Sequence, residues 1–570
     1  MEASFWDGKR APGVTDAVDF DRFSHVGEVI ASTVARYGER PAFTCMGKTL
    51  TFHQVDVLSN NFAAYLQNHT SLKPGDRIAI QMPNLLQYPV VAFGAIKAGL
   101  VIVNTNPLYT AREMKHQFND SDAKALVCVN LSGHLVEEII ADTPVEHLII
   151  SELADLLPWP KRSLVNLAVK HVKKMVPSYS LPQAVGFRQA MTMGAASSYS
   201  APSAPEKDDA VVLQYTGGTT GVAKGAMLTH GNLLANVVQL SAARAQVDES
   251  GKPFANPNGD IVIAPLPLYH IYAFTAHLLS TFELGGHSLL ITNPRDISGF
   301  IKSIKPWRFN IFIGLNTLFV GMMNHPEFKS LDFSELRITN SGGTALQKAV
   351  ADRWYSITGC RIGEGYGLSE TSPVVCANPA GALIQDGTVG MVMSGTAVKT
   401  IDEEGNELPL GERGELCVKG PQVMKGYWKR PEATAEVLDE EGWFRTGDVG
   451  IVQEDGYIKI VDRLKDMVLV SGFNVYPNEI EDVVARHDKV QNCAAIGVPD
   501  DKTGEAVKLY VIASDSSLTE DEIRKYCGQH LTAYKVPRQV EFRDELPMTP
   551  VGKVLRKELR AEEMAKRQPA

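Results

Sequence analysis

Residues 215–225 read Tyr-Thr-Gly-Gly-Thr-Thr-Gly-Val-Ala-Lys-Gly and follow the apolar run of residues 210–213. The apolar run predicts a buried strand, and the glycine and hydroxyl residues after it predict a tight turn. Such a turn brings backbone N–H and side-chain O–H donors close to an anion, and Lys224 adds a positive charge. The stretch therefore predicts a polyphosphate ligand, although a glycine-rich turn without a ligand has the same composition.

The spacing within this stretch differs from that of the Walker phosphate loop. A Walker loop needs adjacent glycine and lysine followed by serine or threonine, whereas here Lys224 lies three residues after Gly221 and precedes Gly225. The stretch resembles instead the phosphate loop of the adenylate-forming superfamily, which includes acyl-CoA synthetases, luciferases and nonribosomal adenylation domains. The resemblance implies ATP contacts from Tyr215, Thr216, Gly217, Gly218, Thr219, Thr220, Gly221 and Lys224.

The composition is that of an ordinary globular protein of more than one domain. The chain has 570 residues, 44% of them hydrophobic, and a net charge of −10, which argues against nucleic acid as a principal partner. Its seven cysteines are scattered without a CxxC pair, so neither a zinc site nor a disulfide framework is predicted. The first residues lack a signal-peptide core, and the longest apolar stretch, 90–103, contains Lys97 and is too short to span a bilayer. We expect a cytoplasmic protein.

The order of helical and strand patterns predicts the fold. Capping-box sequences at Thr51 and Thr110 begin helices that alternate with apolar strands, and this rhythm favours mostly parallel sheets covered by helices. The predicted class is α/β, with a large N-terminal domain of stacked α/β subdomains that includes a small β-barrel-like part. The resemblance implies a hinge at 463–467, which divides this domain (1–462) from a smaller, mobile α+β domain (468–570). In the small domain, Pro477 and Thr519, the latter with a capping box to Glu522, begin two helices.

Two glycine-rich strings downstream resemble the adenine-binding part of the same superfamily. The string 340–345 contains Gly343 and Thr344, and the string 363–371 contains Glu364, Gly365, Tyr366 and Gly367. Because glycines flank Tyr366, a planar base can stack on its ring with little obstruction. In the second string, Glu370 is a hard oxygen ligand suited to Mg²⁺. The resemblance assigns Mg²⁺ to Glu370 and Thr216.

Three further positions follow from the resemblance. The segment 442–448 resembles the ribose-binding segment of the superfamily, in which a carboxylate accepts hydrogen bonds from the ribose diol. The resemblance gives this role to Asp448 and places Arg463 beside it. Lys465 matches the hinge position, and a charged stretch between two strands is a plausible pivot. Lys553 matches the adenylation lysine of the superfamily.

An acyl site is predicted around His270. A predicted strand ends near two prolines, and His270 follows at the carboxyl end of that strand, where α/β sheets bind ligands. A lone histidine at such a place is more often structural. The resemblance, however, places His270 at the substrate carboxylate. Residues 310–323 are apolar, and plain core is the simplest interpretation of each one. As a set they suit the wall of a tunnel for an alkyl chain, whose candidate residues are His270, Phe274, Phe312, Leu315, Phe319 and Met322.

The C-terminal strings resemble most those of bacterial long-chain fatty acid–CoA ligases. That resemblance implies two steps: ATP and a long-chain fatty acid give an acyl-adenylate and pyrophosphate, and CoA then releases AMP after the small domain rotates. It assigns catalysis to Lys553, Thr216, Glu370 and His270, and a CoA channel to Ser471, Gly472 and Phe473. Three alternatives remain: a carrier-protein ligase, a fatty acyl-AMP ligase and a catalytically dead nucleotide-binding scaffold. The intact Lys553, Glu370 and Asp448 argue against the scaffold.

A basic amphipathic helix is predicted near 161–176. Its apolar stripe contains Val165, Ala168, Val169, Val172, Met175 and Val176, and its basic residues Lys161, Arg162, Lys170, Lys173 and Lys174 lie off that stripe. A surface helix packed on its own domain and a peripheral contact with the inner membrane both fit this pattern. A homodimer is common among such ligases, but the sequence leaves the oligomeric state open.

Overall fold

The computed structural model of the chain describes residues 1, 3–216, 223–500, 502–549 and 553–567. Within these residues the strands are, in chain order, Pro41–Cys45 (β1), Lys48–Thr51 (β2), Arg77–Gln81 (β3), Val101–Asn104 (β4), Ala123–Val129 (β5), His147–Ser151 (β6), Val185–Gly186 (β7), Ala210–Thr216 (β8), Lys224–Thr229 (β9), Ile261–Ala264 (β10), His287–Leu290 (β11), Ile311–Gly314 (β12), Ile338–Gly342 (β13), Ile362–Gly367 (β14), Val374–Ala377 (β15), Met391–Val392 (β16), Ala397–Ile401 (β17), Arg413–Lys419 (β18), Gly426–Tyr427 (β19), Phe444–Val452 (β20), Ile458–Arg463 (β21), Val468–Val470 (β22), Phe473–Val475 (β23), Val490–Asp500 (β24), Gly504–Ala513 (β25) and Gln539–Phe542 (β26).

The α-helices of the same residues are Val26–Tyr37 (α1), Phe52–His69 (α2), Gln87–Lys97 (α3), Ala111–Ser121 (α4), Gly133–Ile139 (α5), Lys161–Leu167 (α6), Phe187–Ala195 (α7), His230–Ala243 (α8), Ile271–Ala273 (α9), Thr281–Glu283 (α10), Ile297–Ile304 (α11), Asn316–Asn324 (α12), Lys348–Thr358 (α13), Pro431–Ala435 (α14), Pro477–Val484 (α15), Glu520–His530 (α16) and Arg556–Arg567 (α17). Two π-helical segments, Ala168–Val172 and Phe274–Ser280, continue α6 and α9. No helix of the described ranges combines the length and the apolar character that crossing a membrane would need.

Two large sheets form the N-terminal part, and both are mostly parallel, as predicted. The first has the order β19-β9-β8-β4-β3-β5-β6-β7, and the second β16-β15-β14-β13-β12-β10-β11-β1-β2. In each sheet the antiparallel pairs lie at an edge: β8, β9 and β19 in the first, and β14, β15 and β16 together with β1 and β2 in the second. The phosphate-loop stretch therefore connects an antiparallel hairpin, β8 to β9, at the end of a parallel sheet.

Two features of the local sequence determine how the helices of the N-terminal part begin and pack. Thr51 and Thr110 each form the predicted capping box with the residue three positions later. Where α3 crosses α2, a Cβ atom on Gly94 would lie 2.9 Å from Phe62 and from the Ser59 carbonyl oxygen. Only glycine allows this approach of the two helices, and the fully buried Phe62 fills the contact.

The C-terminal part consists of a small antiparallel sheet and a separately packed domain. Strands β17, β18, β20 and β21 form the antiparallel sheet. Beyond residue 467, β22–β26 with α15 and α16 enclose their own apolar core, which contains Val468, Ile480 and Ile523. Pro477 stands in the first turn of α15 as predicted. The capping box predicted at Thr519 is only half formed, since the Glu522 carboxylate pairs with Lys489 instead.

The predicted amphipathic helix near 161–176 is shorter than expected. The helical segment ends at Val172, and Lys174 has a positive φ of 49° that a continuing helix does not allow. Val169 is buried, but Val172 and Met175 are 75% and 46% exposed. The predicted helix is therefore wrong beyond Val172, where the helical segment ends, and Val169 is the one residue of the predicted stripe that is buried.

Candidate active site

The two ends of the phosphate-loop stretch lie side by side. Tyr215 and Thr216 end β8, Lys224 begins β9, and Thr216 pairs with Lys224 across the hairpin. The central residues predicted to contact ATP, Gly217, Gly218, Thr219, Thr220 and Gly221, lie outside the described residues. The hairpin thus fixes where the loop begins and ends, at the carboxyl end of β8.

Lys553 of the small domain reaches into the large domain. Its Cε and Nζ atoms lie 3.3 and 3.7 Å from the position that a Cβ atom would take on Gly343, whose φ is +84°. Gly343 follows β13, so the left-handed backbone and the missing side chain leave room for the lysine. Burial lowers the pKa of Lys553 to about 8, and the positive charge of Arg463 lowers it further while Asp448 opposes this.

His270 faces the same lysine from another strand end. It caps α9, where its Nδ1 accepts the backbone N–H of Tyr272 at 3.3 Å. Burial lowers the pKa of His270 to about 4, and the charge of Lys553 contributes to this shift. His270, whose lowered pKa favours the neutral imidazole, therefore lies near enough to Lys553 to be influenced by its charge, at the carboxyl edge of the second sheet. This arrangement can hold a carboxylate without adding a second full charge.

Tyr366 and Asp448 form a hydrogen-bonded pair in the same region. The Tyr366 hydroxyl donates to Asp448 Oδ2 at 2.6 Å, and Arg463 Nε lies 3.4 Å from Asp448 Oδ1. Asp448 and Arg463 are partners across β20 and β21. Burial raises the pKa of Asp448, and Arg463 opposes that rise. A Cβ atom on Gly367 would lie 1.9 Å from the Pro373 carbonyl oxygen, so the backbone beside Tyr366 requires glycine.

Glu370, the predicted magnesium ligand, is buried beside the end of the phosphate-loop hairpin. Its Oε1 accepts the Tyr427 hydroxyl at 2.8 Å, and Lys224 Nζ lies 5.2 Å from the centre of the Tyr427 ring. Burial raises the pKa of Glu370. The described residues hold no group of three or more metal-binding side chains. A single carboxylate nevertheless fits Mg²⁺, which in nucleotide sites is held by one or two carboxylates together with phosphate oxygens.

Several hydroxyl groups near the predicted adenine loop are buried without a partner. Ser341 Oγ, Thr344 Oγ1 and Ser372 Oγ have no hydrogen-bond partner among the described residues. Buried hydroxyls in folded proteins are normally paired, so these three point to a polar ligand or ordered water. The sequence had indicated Thr344 only. Next to them, Glu364 accepts the backbone N–H of Leu346 at 3.0 Å, and burial raises its pKa to about 7.

The predicted tunnel residues separate into two groups. Leu315 lies 3.6 Å from the Cβ position of Gly343, and Phe274 is fully buried at the start of the π-helical segment behind His270. Phe312, Phe319 and Met322 belong instead to a core around Trp354, with Phe319 and Trp354 ring centres 4.8 Å apart. These three side chains have no exposed surface, which is the packing of ordinary core.

A cleft between the two domains lies next to the residues around Lys553, since Leu315 borders both. Its volume is about 740 Å³, and Leu315 is the one predicted tunnel residue among those lining it. The large-domain wall carries Pro265, Leu266, Ile297 and Leu318, and the small-domain wall carries Leu546, Pro547 and Met548 with the charged Arg543, Glu545 and Glu562. Because residues of both domains line the cleft, its shape depends on the placement of the small domain.

The predicted CoA residues do not contact this centre. Ser471 and Gly472 form an exposed turn, and the Phe473 ring stacks on Tyr534 of the same domain at 4.7 Å. Lys465, the predicted hinge residue, lies in the 3-10 turn Leu464–Asp466 after β21, where partial desolvation of its amine and the charge of Arg463 lower its pKa to about 8. In this domain arrangement Lys553, and not the turn at 471–473, occupies the site.

The sequence also missed residues that hold the site together. Asp120 accepts the Tyr215 hydroxyl at 2.7 Å, pairs with Arg430, and through its carbonyl accepts the Trp428 indole N–H. His116, one turn earlier on α4, donates through Nε2 to the Ala223 carbonyl at 3.2 Å. An alternation of charged residues on a helix gives no signal for such contacts, because they join segments about 100 to 310 residues apart.

Comparisons with known proteins agree with this geometry. Residues 30–428 match the family model "AMP-binding enzyme", and residues 479–553 match "AMP-binding enzyme C-terminal domain". The long-chain-fatty-acid–CoA ligases of Salmonella typhimurium and Yersinia pestis are 49% and 50% identical to the chain, each over 98% of both sequences. The corresponding ligase of Bacillus subtilis is 36% identical over 94% of both.

Two solved structures have the same fold. The anthranilate CoA ligase AuaEII in complex with anthranoyl-AMP superposes with a TM-score of 0.83 at 23% identity, covering 99% of both chains. ATP-bound MatB from Rhodopseudomonas palustris superposes with a TM-score of 0.76 at 27% identity, covering 95% of this chain and all of that one. The predicted α/β class with a large N-terminal and a small C-terminal domain is confirmed.

Proposed function

The chain belongs to the AMP-binding enzyme family, and from this premise we propose that it converts long-chain fatty acids into acyl-CoA thioesters with ATP. The observation that carries the proposal is Lys553 of the small domain, which lies against Gly343 of the large domain and close enough to His270 and Asp448 for its charge to influence the pKa of each. A lysine held between a carboxylate-binding face and a nucleotide-binding face suits adenylation. The near-full-length identity to bacterial long-chain fatty acid–CoA ligases supports the substrate class.

In the first half-reaction an oxygen of the fatty carboxylate attacks the α-phosphorus of ATP. The bond between the α-phosphorus and the bridging oxygen breaks, and pyrophosphate leaves. Both reactants are anions, so their approach needs positive charge held in place. Lys553 supplies it between the two, with His270 orienting the carboxylate as a neutral hydrogen-bonding partner. Lys224 and the phosphate loop, including Thr216, hold the β- and γ-phosphates.

The nucleoside is held by the opposite wall of the site. In this proposal the adenine stacks on Tyr366 and lies along Gly343, Thr344, Glu364, Gly365 and Gly367. Asp448 accepts hydrogen bonds from the ribose hydroxyls, and Arg463 keeps that carboxylate ionised. Glu370 and Thr216 would hold Mg²⁺, which neutralises phosphate charge when bound. Tyr427, which donates to Glu370, fixes the direction of that carboxylate.

The second half-reaction requires the small domain to rotate about the segment 463–467, with Lys465 as the pivot. Rotation withdraws Lys553 and brings Ser471, Gly472 and Phe473 to the site, where they border the pantetheine channel. The CoA sulfur then attacks the acyl carbonyl carbon, its thiol proton is released, and AMP leaves. The exposed position of that turn in the present arrangement supports a site that forms only after the rotation.

The acyl chain begins at the carboxylate beside His270. Leu315 borders both this point and the cleft between the domains, so we propose the cleft as the entry route of the fatty acid. Phe274, directly behind His270, borders the alkyl chain inside the large domain. Phe312, Phe319 and Met322 support the channel from the core and do not line it.

The test is acyl-CoA formation with a series of free fatty acids from octanoate to oleate, each with ATP, Mg²⁺ and CoA. We expect AMP, pyrophosphate and thioester in equal amounts, with the highest kcat/KM for long chains. Pyrophosphate release without thioester would indicate a fatty acyl-AMP ligase. Nucleotide binding without pyrophosphate release would indicate a scaffold, and either result would overturn the proposal.

We further propose a cytoplasmic location with a peripheral contact to the inner membrane through residues 159–175, called here the basic segment. All seven cysteines are buried and free, which suits a reducing compartment. Residues 156–205 contain six lysine or arginine residues and no acidic residue, in a chain of net charge −10. The apolar side chains exposed on the basic segment are Trp159, Leu164, Leu167, Val172 and Met175.

This combination fits an anionic lipid surface better than a protein groove. Lys170, Lys173 and Lys174 have no ion pair among the described residues, so their charge is available. An interfacial segment needs apolar side chains that enter the acyl boundary and cations that meet anionic headgroups. A long-chain fatty acid partitions into the same surface, which would give the enzyme its substrate directly.

A further inference from the structure

Asp448, the predicted ribose ligand, lies in an interruption of the antiparallel sheet. Two pairs of residues on β18 and β20 enclose the interruption: Glu415 with Val449, and Cys417 with Arg445. Between these pairs β18 has one residue, Leu416, whereas β20 has the three residues 446–448, so β20 contains a bulge of two extra residues. Bulges are common beside active sites, where they redirect a side chain toward a ligand.

Side chains replace the backbone partners that the bulge loses. The Thr446 hydroxyl donates to the Leu416 carbonyl oxygen at 2.7 Å, and the same hydroxyl oxygen accepts the N–H of Asp448 at 3.1 Å. The N–H of Gly447, whose φ is +70°, donates to Glu415 Oε1 at 3.1 Å. The Glu415 carboxylate therefore takes the place of a backbone carbonyl as the acceptor for the central peptide of the bulge.

The Glu415 side chain is itself held by a second residue of β20. Arg445 Nε and Nη2 lie 2.9 and 2.5 Å from Glu415 Oε2, the oxygen that Gly447 does not use. The Glu415 side chain is 7% exposed and the Arg445 side chain 52%. A nearly buried carboxylate with charge-assisted hydrogen bonds has little freedom to turn. Glu415 thus fixes the backbone on both sides of Thr446.

The side chain that follows this fixed peptide is that of Asp448. Its Oδ2 accepts the Tyr366 hydroxyl, and Arg463 lies beside its Oδ1. These two residues contact the carboxylate, whereas Glu415 holds the peptide before it. Because Gly447 directly precedes Asp448, a shift of the Gly447 peptide displaces the Asp448 carboxylate. Hydrogen bonds weaken steeply when donor and acceptor lose their alignment, so even a small displacement matters for a bound diol.

We propose that Glu415 is a positioning residue for nucleotide recognition, which sets the bulge 446–448 so that Asp448 accepts hydrogen bonds from the ribose hydroxyls of ATP. The inference rests on the ribose role of Asp448 in the proposed function. It adds the residue on which the selection of ribonucleotides over deoxynucleotides depends. Glu415 acts through Gly447 and Arg445, and its own carboxylate does not contact the nucleotide.

The experiment compares the dissociation constants of ATP and 2′,3′-dideoxyATP, measured by calorimetry. The wild-type enzyme should bind ATP about 10- to 100-fold more tightly, the contribution of a hydrogen bond to a charged group. Glu415→Met should reduce this preference to within about threefold by weakening the binding of ATP, and should leave the binding of 2′,3′-dideoxyATP unchanged. A purely structural role would weaken the binding of both nucleotides equally.

Two matched variants separate the acceptor from the charge. Glu415→Gln keeps an oxygen for the Gly447 N–H, so it should retain most of the preference for ATP. Glu412 is exposed just before β18, and Glu412→Gln should bind both nucleotides like the wild-type enzyme. Should Glu415→Met fail to fold, Thr446→Val, which removes the hydroxyl between Leu416 and Asp448, decides the question by the same comparison.

Asp448→Ala distinguishes the failure of this inference from the failure of the proposed ribose site. If Asp448→Ala abolishes the preference for ATP and Glu415→Met keeps it, the positioning role of Glu415 is wrong and the ribose site stands. Equal weakening of both nucleotides in Glu415→Met also overturns the positioning role. If the wild-type enzyme does not prefer ATP, or if Asp448→Ala keeps the preference, both the ribose role of Asp448 and the positioning role of Glu415 are wrong.

Discussion

Lys553 shows how one side chain depends on the placement of a whole domain. It belongs to the small domain, yet its Cε atom lies 3.3 Å from the Cβ position of Gly343 in the large domain. We predict that Lys553→Ala reduces the rate of adenylate formation by about 10²–10³-fold, because one positioned cation in a water-poor site contributes that much. The measurement is fatty-acid-dependent exchange of labelled pyrophosphate into ATP.

A matched lysine on the same domain controls for nonspecific effects. Lys525 is exposed on α16, away from the site. Lys525→Ala should leave the exchange rate and the thermal midpoint unchanged within error. If Lys553→Ala retains more than a third of the wild-type exchange rate, the adenylation role of this lysine is wrong.

The environment of Lys553 also predicts a pH dependence. Burial lowers its pKa to about 8 in the free enzyme, so the ammonium loses its proton as the pH rises through that value. Since adenylation needs the charged form, kcat/KM for ATP should be constant below about pH 7 and fall above pH 8. Lys553→Arg should move this alkaline limb upward by more than one pH unit, even if its maximum is lower. An unchanged limb would assign it to another group.

At the scale of single residues, the sequence indicated the site residues that lie in glycine-rich strings, but it did not indicate the residues with which they form hydrogen bonds. Tyr366 and Asp448 were each recognisable, and their mutual hydrogen bond joins residues 82 positions apart. Ser341, Ser372 and Tyr427 carried no local signal, because their roles depend on burial and on which strand lies beside them.

At the scale of elements, helix α4 holds both ends of the phosphate loop. Asp120 accepts the Tyr215 hydroxyl before the loop, and His116 donates to the Ala223 carbonyl after it. The two residues are four positions apart and so lie on one face of the helix. Asp120 also binds Arg430 and the Trp428 indole, which connects the loop to the segment that carries Tyr427.

We predict that Asp120→Ala raises the KM for ATP by about 10-fold or more and changes kcat less. The substitution leaves the buried Tyr215 hydroxyl and Arg430 without their acceptor, a loss of about 1–3 kcal/mol in ground-state positioning. The control is Asp142→Ala, which removes an exposed ion pair with Lys115 of the same helix, where about 0–1 kcal/mol is expected. Equal effects of the two substitutions on KM would contradict the role of α4.

The prediction of helices and strands succeeded where the sequence signal was local, and it failed where tertiary packing determined the structure. The caps at Thr51 and Thr110 were predictable, because a capping box needs only residues three positions apart. At Thr519 the same sequence signal gave only one of the two capping hydrogen bonds, because the Glu522 carboxylate pairs with Lys489, 33 residues before Glu522. In the basic segment the predicted helix was wrong beyond Val172, because the helical segment ends there and Lys174 has a positive φ.

At the scale of the whole molecule, the sequence predicted two domains and the class of each. It could not predict their mutual placement, since nothing local specifies where the small domain rests on the large one. In the present arrangement Arg556 lies next to the predicted hinge, where it pairs with Glu481, Asp462 and Asp466. These pairs join α17 to Asp462 and Asp466, which lie on both sides of Lys465.

The last prediction concerns the binding of the basic segment to a membrane surface. Reversing three charges, Lys170→Glu, Lys173→Glu and Lys174→Glu together, should weaken binding to phosphatidylglycerol-containing vesicles by roughly 100-fold or more, since each basic residue near an anionic surface contributes about 1 kcal/mol. Binding of the wild-type protein should fall as salt rises from 0.05 to about 0.5 M, because screening shortens the reach of these charges. Co-sedimentation measures both effects.

A variant with the same net charge separates location from total charge. Lys302, Lys329 and Lys525 are exposed and lie outside the basic segment, so their joint reversal to glutamate should weaken vesicle binding several-fold at most. Trp159, 75% exposed in the protein alone, should shift its fluorescence to shorter wavelength when vesicles are added, and Trp159→Phe should remove that shift. Equal weakening by the two triple variants, or no shift from Trp159, would leave the basic segment as an ordinary solvated surface. Turnover of octanoate, which is dissolved in water, should be the same in both variants, because the segment acts on access to lipid and not on the reacting centre.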